Sequence, residues 1–154
     1  MRWPSLGPRG EGWVAIQFAL IGAVVAGGFF GDHWPWPVKL FGGALLFLGL
    51  LFAVAAVRSL GRSMTPLPRP LAEGELVVGG PYAIVRHPVY SGLVAAAAGG
   101  AVLCSSWWSL GAALLLLVFL HLKAAREEAW LVARYPAYPD YARRVRRRLI
   151  PWLT

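Results

Sequence analysis

Arg86, His87 and Tyr90, in the run Gly-Pro-Tyr-Ala-Ile-Val-Arg-His-Pro-Val-Tyr-Ser-Gly over 80–92, have side chains suited to holding a small charged ligand, as do the adjacent Glu127 and Glu128. The carboxylates can accept from a ligand's ammonium or hydroxyl groups, and Arg86 and His87 can donate. Pro88 fills the first position of a helix without wasting a donor, so the N–H groups of Val89 to Ser91 stay available to an anion. Neighbours on a helix point about 100° apart, so one of the two glutamates faces any single ligand group and the other pairs with Arg or Lys. Taken singly, these residues have plainer uses. Arg86 and His87 also suit lipid contacts at a membrane boundary, and Glu127-Glu128 also suit a solvated face balancing Lys123 and Arg126.

The elements that must position them are set by composition. The chain is 58% hydrophobic and 14% charged, with a mean hydropathy of +0.57. It is far more apolar than an ordinary soluble domain. The uncharged runs 13–30 and 40–57 are each about 27 Å long as helices, close to a hydrocarbon core of roughly 30 Å. The stretches 88–106 and 107–122 follow as a third and a fourth span. The expectation is therefore an all-α integral membrane protein with four spans in one domain over 1–154. The first run is also compatible with a secretory signal, since Arg2 and Arg9 precede it and small residues follow at Ala26 to Gly28. It exceeds the usual apolar core of such a signal, about 7 to 15 residues, and further spans follow.

In the four-span arrangement Arg2, Arg9, Arg58, Arg62, Arg69, Arg86 and every Lys and Arg from Lys123 onward lie on one side, with Lys39 alone on the other. The positive-inside rule then places both termini and the 58–87 segment in the cytoplasm, in a cell membrane. The net charge of +8 describes a membrane face rather than a nucleic-acid surface. From Pro139 onward Arg143, Arg144, Arg147 and Arg148 would share one side of a helix opposite Tyr138, Tyr141, Val145 and Leu149. Such a helix would lie on anionic lipid, although a solvated basic tail has the same composition.

Folding the third and fourth spans about position 106 brings Tyr90 level with Leu122, His87 with Ala125 and Arg86 with Arg126, so both groups of polar residues can share one site at the cytoplasmic boundary. Gly92, Ala96 and Gly100 recur at the spacing that lets membrane helices approach closely, which would tighten this hairpin. The connector 61–81 holds Pro66, Pro68, Pro70, Gly74, Gly79, Gly80 and Pro81 and cannot form a long helix. Within it, Glu75-Leu-Val-Val reads as a short extended piece ending at a Gly-Gly-Pro turn that presses Tyr82 towards the membrane surface. No metal site is expected. Cys104 is the single cysteine and reads as a packing residue, His33 belongs to an aromatic belt with Trp34 and Trp36, and His121 suits an interhelical hydrogen bond.

The segment Arg86-His87-Pro88-Val89-Tyr90, the following Gly92 and the Glu-Glu pair resemble the isoprenylcysteine carboxyl methyltransferase family. So does the tail Arg134-Tyr135-Pro136-Ala-Tyr138-Pro-Asp-Tyr141-Ala-Arg-Arg144-Val145. The resemblance covers about 79–151, and phospholipid N-methyltransferases share much of it. The chain departs by carrying Arg146 to Arg148 where a proline commonly follows the Arg-Val pair. The resemblance implies S-adenosylmethionine as cofactor, held by Tyr82, Arg86, His87, Pro88, Tyr90, Gly92, Glu127 and Glu128, with Glu128 and Arg134 beside the transferring methyl. It implies a lipophilic acceptor, with a carboxylate favoured and a phospholipid-type amine as the alternative. Small membrane reductases that bind NADPH are similar over the C-terminal half, and a non-catalytic membrane scaffold is the remaining reading. The oligomeric state is not legible.

Overall fold

A backbone in hydrocarbon must satisfy its own N–H and C=O groups, so apolar runs of this length become helices. The computed structural model describes residues 6–7, 10–65, 67, 69 and 73–149; Arg2, Arg9, Pro66, Pro68, Pro70 and Pro151 lie outside them. Five α-helices are present among the described residues: α1 (Glu11–Gly27), α2 (Trp36–Leu60), α3 (Pro88–Leu103), α4 (Trp107–Arg134) and α5 (Tyr138–Arg144). Of these, α2 and α4 are long and apolar enough to cross a membrane, whereas α1 and α3 are shorter, at 17 and 16 residues.

Local signals fix the helix starts. Pro88 is at the first turn of α3, and Ser106 caps α4 by accepting from the Ser109 N–H at 3.2 Å, an interaction that contributes about 1 kcal/mol. The reversal between α3 and α4 is tight. Ser105 takes φ 55°, its carbonyl accepts from the Asp32 N–H at 2.9 Å, and its buried hydroxyl has no partner among the described residues. Trp34 meets Trp107 edge-on at 4.9 Å beside this turn, so the α1–α2 and α3–α4 connections share one end of the molecule. Cys104, expected as a packing residue, is exposed.

The fourth helix does not stop at 122. It continues through its charged last turns to Arg134, so Glu127 and Glu128 ride on the same rigid rod as the apolar stretch. Packing runs α2 on α3, α3 on α4 and α4 on α1, with α1 also touching α3. The small residues of α3 face α2, not α4. A Cβ at Gly92 would lie 2.5 Å from the Gly49 carbonyl oxygen and 2.6 Å from the Ala53 nitrogen, while one at Gly100 would meet nothing within 4 Å. The close contact thus uses Gly92, Ala96 and Gly99, and its partner is the helix whose own Gly42 and Gly49 present equally bare backbone. On the other side, Ser106 and Ser109 donate to the carbonyls of Gly27 and Val24 at 2.6 and 2.7 Å, fastening α1 to α4, and Trp13 packs against Phe119.

The expected basic amphipathic helix is much shorter. α5 spans 7 residues, and the chain from Val145 leaves helical geometry because its carbonyls find donors elsewhere. The Arg147 and Arg148 carbonyls accept from the Arg86 and His87 N–H groups at 2.9 and 3.0 Å, and the Leu149 carbonyl accepts from the Ser91 hydroxyl. Leu149 is buried with Leu116, Leu120 and Ala124 in the core, so this tail is a strap across the α3–α4 pair rather than a lipid-facing stripe. The 74–78 segment forms no strand. It is held irregularly by the Glu75 N–H on the Ser63 hydroxyl (2.9 Å) and the Tyr135 hydroxyl on the Gly74 carbonyl (2.7 Å). A 3-10 turn, Gly80–Ala83, follows and buries Tyr82 inside the protein, with Gly80 at φ 59°.

Candidate functional site

At the end of the bundle opposite the Ser105 turn, α3 begins, the last turns of α4 pass, and the strap crosses both. Here the two polar groups of the sequence meet. Glu128 receives the Arg86 Nε at 2.8 Å, the Arg148 Nε and Nη2 at 3.1 and 2.7 Å, and lies 3.3 Å from His87 Nε2. Arg86 also donates to the carbonyls of Val145 and Arg146, which ties the strap to the same cluster. His121, expected to bond another helix, instead lies 3.3 Å from Arg148. Glu127 points differently: it accepts from the Tyr90 hydroxyl and lies 3.5 Å from His87 Nδ1. The two carboxylates divide the work as neighbours on a helix must, one neutralising two guanidiniums and the other turned to the interior.

That interior is a cavity of about 320 Å³, within the range of small-molecule sites. Tyr82, Arg86, His87, Tyr90 and Glu127 line it, together with Gln17, Lys123 and Tyr138. Phe18, Leu60, Met64, Val89 and Leu131 supply apolar wall. Glu128, Pro88, Gly92 and Arg134 are not on its surface. Glu128 stands behind His87 and Arg86, Gly92 is against α2, and Arg134 is exposed with its guanidinium 5.8 Å from the Tyr135 ring. The N–H of Ser91 is taken by the His87 carbonyl at 3.1 Å, which removes it as an anion donor.

Electrostatics at the cavity wall follow from burial. Burial alone would lower the pKa of His87, but its hydrogen bonds to Glu127 and Glu128 and their charges outweigh that, and the net direction is upward. His87 is therefore biased towards the imidazolium between two carboxylates. Desolvation pushes the Tyr82 and Tyr138 phenols well up and Tyr141 up to about 12, so all three remain neutral donors at ordinary pH. Tyr141 spends its hydrogen on the Tyr82 carbonyl at 2.8 Å. Tyr138 is among the cavity-lining residues, and its hydroxyl is buried with no partner among the described residues.

A family model described as phospholipid methyltransferase matches residues 38–137. The chain belongs to the phospholipid methyltransferase family. It is accordingly a member of a methyltransferase family and a membrane protein. No curated protein matches the chain. The match supports this broader family, not the isoprenylcysteine-specific one that the Arg-His-Pro segment and the tail resemble. It takes in α2, α3, α4 and the connector between them, and leaves out α1 and the strap, which contribute Gln17 to the cavity and Arg148 to the cluster.

S-adenosylmethionine carries a carboxylate, an ammonium, ribose hydroxyls, an adenine face and a sulfonium, and the lining offers a group for each. Glu127 is an acceptor, Arg86 is a donor, and the aromatic and aliphatic wall is a surface for the base. Sequence reading overlooked Gln17, Tyr138 as a cavity residue and Arg148 as a partner of Glu128. Gln17 did carry a signal: it is the lone polar side chain in the 13–30 run, and such residues are costly unless they serve something. Arg148 carried none, because its reach depends on the strap's path.

Proposed function

We propose that this protein transfers a methyl group from S-adenosylmethionine to a lipophilic acceptor that enters the cavity from the surrounding bilayer, with α1 to α4 all acting as spans. The observation that carries the reading is the cavity itself: in a phospholipid methyltransferase family member, Arg86, His87, Tyr90 and Glu127 converge on one apolar-walled space. The exposed Phe18, Val25, Phe41, Phe47, Leu114 and Leu115 support lipid-facing spans at α1, α2 and α4, since lipid would cover them, and α3 would cross with the α2 and α4 it packs against.

The cofactor, when bound, supplies an electrophilic methyl already activated by its sulfonium, so the protein's share is proximity and orientation. His87 is held by stacking on Tyr90, ring centres 5.6 Å apart, and by both glutamates. Glu128, with Arg86 and Arg148, fixes the first turn of α3 and the strap relative to α4. Of the adjacent pair Glu127 is the one on the cavity surface, which Glu75 also lines, and it is better placed than Glu128 to take a proton from an amine acceptor. The family description and this cavity-facing base together support an amine over a carboxylate as the methylated group. Arg134, exposed, would reach a ligand only by moving inward.

Calorimetric titration of S-adenosylhomocysteine into detergent-purified protein tests the reading. Binding in the wild type and its loss in His87→Ala/Glu127→Ala is the expected result. Folded wild-type protein that binds NADPH or neither nucleotide would overturn it.

A further inference from the structure

Four consecutive carbonyls of the strap are spent on the protein. Those of Val145 and Arg146 accept from the Arg86 guanidinium at 3.0 and 2.9 Å, and those of Arg147 and Arg148 accept from the Arg86 and His87 N–H groups. The strap is therefore fixed along its backbone. Leu149 goes inward, among Leu116, Leu120 and Ala124, and Arg148 lies along α4 between Glu128 and His121. Arg144 and Arg146 are exposed, and neither side chain has a carboxylate or other polar partner among the described residues. Asp140 is the single acid from Tyr138 to Leu149, and it is already paired with Arg143.

The depth of the strap decides what surrounds these two arginines. Leu149 packs at the level of the apolar part of α4, and His121, which Arg148 approaches at 3.3 Å, is beside the end of that part. Along the chain Arg146 is three residues from Leu149 and Arg144 is five, so they stand at most about 11 Å and 18 Å from it. With α4 as a span, the head-group layer on each side is about 5–8 Å thick, and an arginine side chain adds reach of its own. Two guanidiniums tethered here meet lipid phosphates before open water. A guanidinium matches a phosphate with two parallel hydrogen bonds, and each basic residue near an anionic membrane surface strengthens attraction about fivefold. A basic tail free in solvent would have no such tether, and an acidic protein partner would have to reach into the head groups to meet the same charges.

We propose that Arg144 and Arg146 dock the head groups of anionic phospholipids of the surrounding membrane, and that the docked lipids hold the strap down on α3 and α4. This rests on the reading of α4 as a span and not on methyl transfer. The strap carries the carbonyls that hold Arg86 and His87 and the second guanidinium on Glu128, so lipid bound on its outer side stabilises the cavity wall from behind.

The test mixes the full chain in detergent with equal amounts of dioleoylphosphatidylglycerol and dioleoylphosphatidylcholine and counts bound lipid by native mass spectrometry. The wild type should retain the anionic lipid at least about tenfold over the zwitterionic one, and Arg144→Gln/Arg146→Gln should bring the ratio to within about twofold of unity. Arg144→Lys/Arg146→Lys should keep most of the preference, and Lys39→Gln, at the other end of the bundle, should leave it unchanged. In phosphatidylcholine nanodiscs, adding phosphatidylglycerol should raise the unfolding midpoint of the wild type and not that of the double glutamine variant. The proposal is overturned if the double glutamine variant keeps the preference, if Lys39→Gln loses as much, or if the wild-type midpoint ignores the added lipid. Displacement of the anionic lipid by millimolar glycerol phosphate would overturn it too, by making the site one for a soluble anion. So would a loss of more than about threefold in S-adenosylhomocysteine affinity in the double glutamine variant, which would assign the arginines to the cofactor. A preference for anionic lipid in protein that binds no S-adenosylhomocysteine would leave the docking surface standing and sink the methyltransferase reading.

Discussion

Glu127 and Glu128 are adjacent and chemically identical, yet neutralising them should have opposite consequences. Glu128→Gln removes the negative charge shared by Arg86 and Arg148, whose side chains are 11% and 27% exposed against 13% for the carboxylate. Deleting one partner of a buried ion pair costs about 3–5 kcal/mol. Two features pull the value to the low end: the amide keeps one acceptor oxygen, and Arg86 keeps the Val145 and Arg146 carbonyls. About 3 kcal/mol is expected, which for a chain of this size lowers the unfolding midpoint by about 6–12 °C. Glu127→Gln keeps an acceptor for the Tyr90 hydroxyl and should cost about 1 kcal/mol, but it removes the charge on the cavity surface. Thermal unfolding followed by tryptophan fluorescence, beside S-adenosylhomocysteine calorimetry below both midpoints, separates the two. Glu128→Gln should lose stability and retain most binding, and Glu127→Gln the reverse. Equal midpoints for the two variants, or lost binding in Glu128→Gln at an unchanged midpoint, would refute the division of roles.

His87 has a folded pKa raised above its ordinary 6.5, so its imidazolium contributes fully below that pH and the contribution fades as pH climbs through the folded value. Midpoints from pH 5.5 to 9 should therefore fall in the wild type relative to His87→Gln, and parallel profiles would contradict the ion cluster. Gly92→Ala should cost about 1–3 kcal/mol by forcing α2 and α3 apart, while Gly100→Ala, facing open space, should be within about 0.5 kcal/mol of wild type by the same unfolding assay; similar losses would mean that α3 does not use this face. Ser105→Gly relieves a left-handed residue and deletes a buried hydroxyl with no partner among the described residues, so it should raise stability by about 1 kcal/mol. A lower midpoint would show that the hydroxyl has a partner.

Local signals carried part of this molecule into the sequence plainly. Pro88 and Ser106 mark where α3 and α4 begin, the turn between them falls where a hairpin count puts it, and the count brings Arg86 to Tyr90 alongside 122–126. The observed partners of Arg86 and His87 are Glu127 and Glu128, within a turn of that reckoning, because long side chains lean and helices cross. The expected span 107–122 is only the apolar part of α4, which runs on to Arg134, because charge ends the apolar stretch and not the helix. Hydropathy reports the solvent; helix continuation depends on propensity, and Lys, Ala, Arg and Glu are all good helix formers.

Two things the sequence by itself could determine are the chain's solvent and the starts of α3 and α4, because each is written in contiguous residues. Tertiary structure alone decided which face met which neighbour. A small-residue stripe fixes that a close approach occurs, not that α2 rather than α4 makes it. The strap left the helical path because donors on Arg86, His87 and Ser91, more than fifty residues upstream, captured its carbonyls. Gln17 and Lys123 joined one cavity for a similar reason: side chains distant in sequence became neighbours once serine caps set the α1–α4 register. Such pairings are properties of the assembled packing, and local pattern carries no record of them.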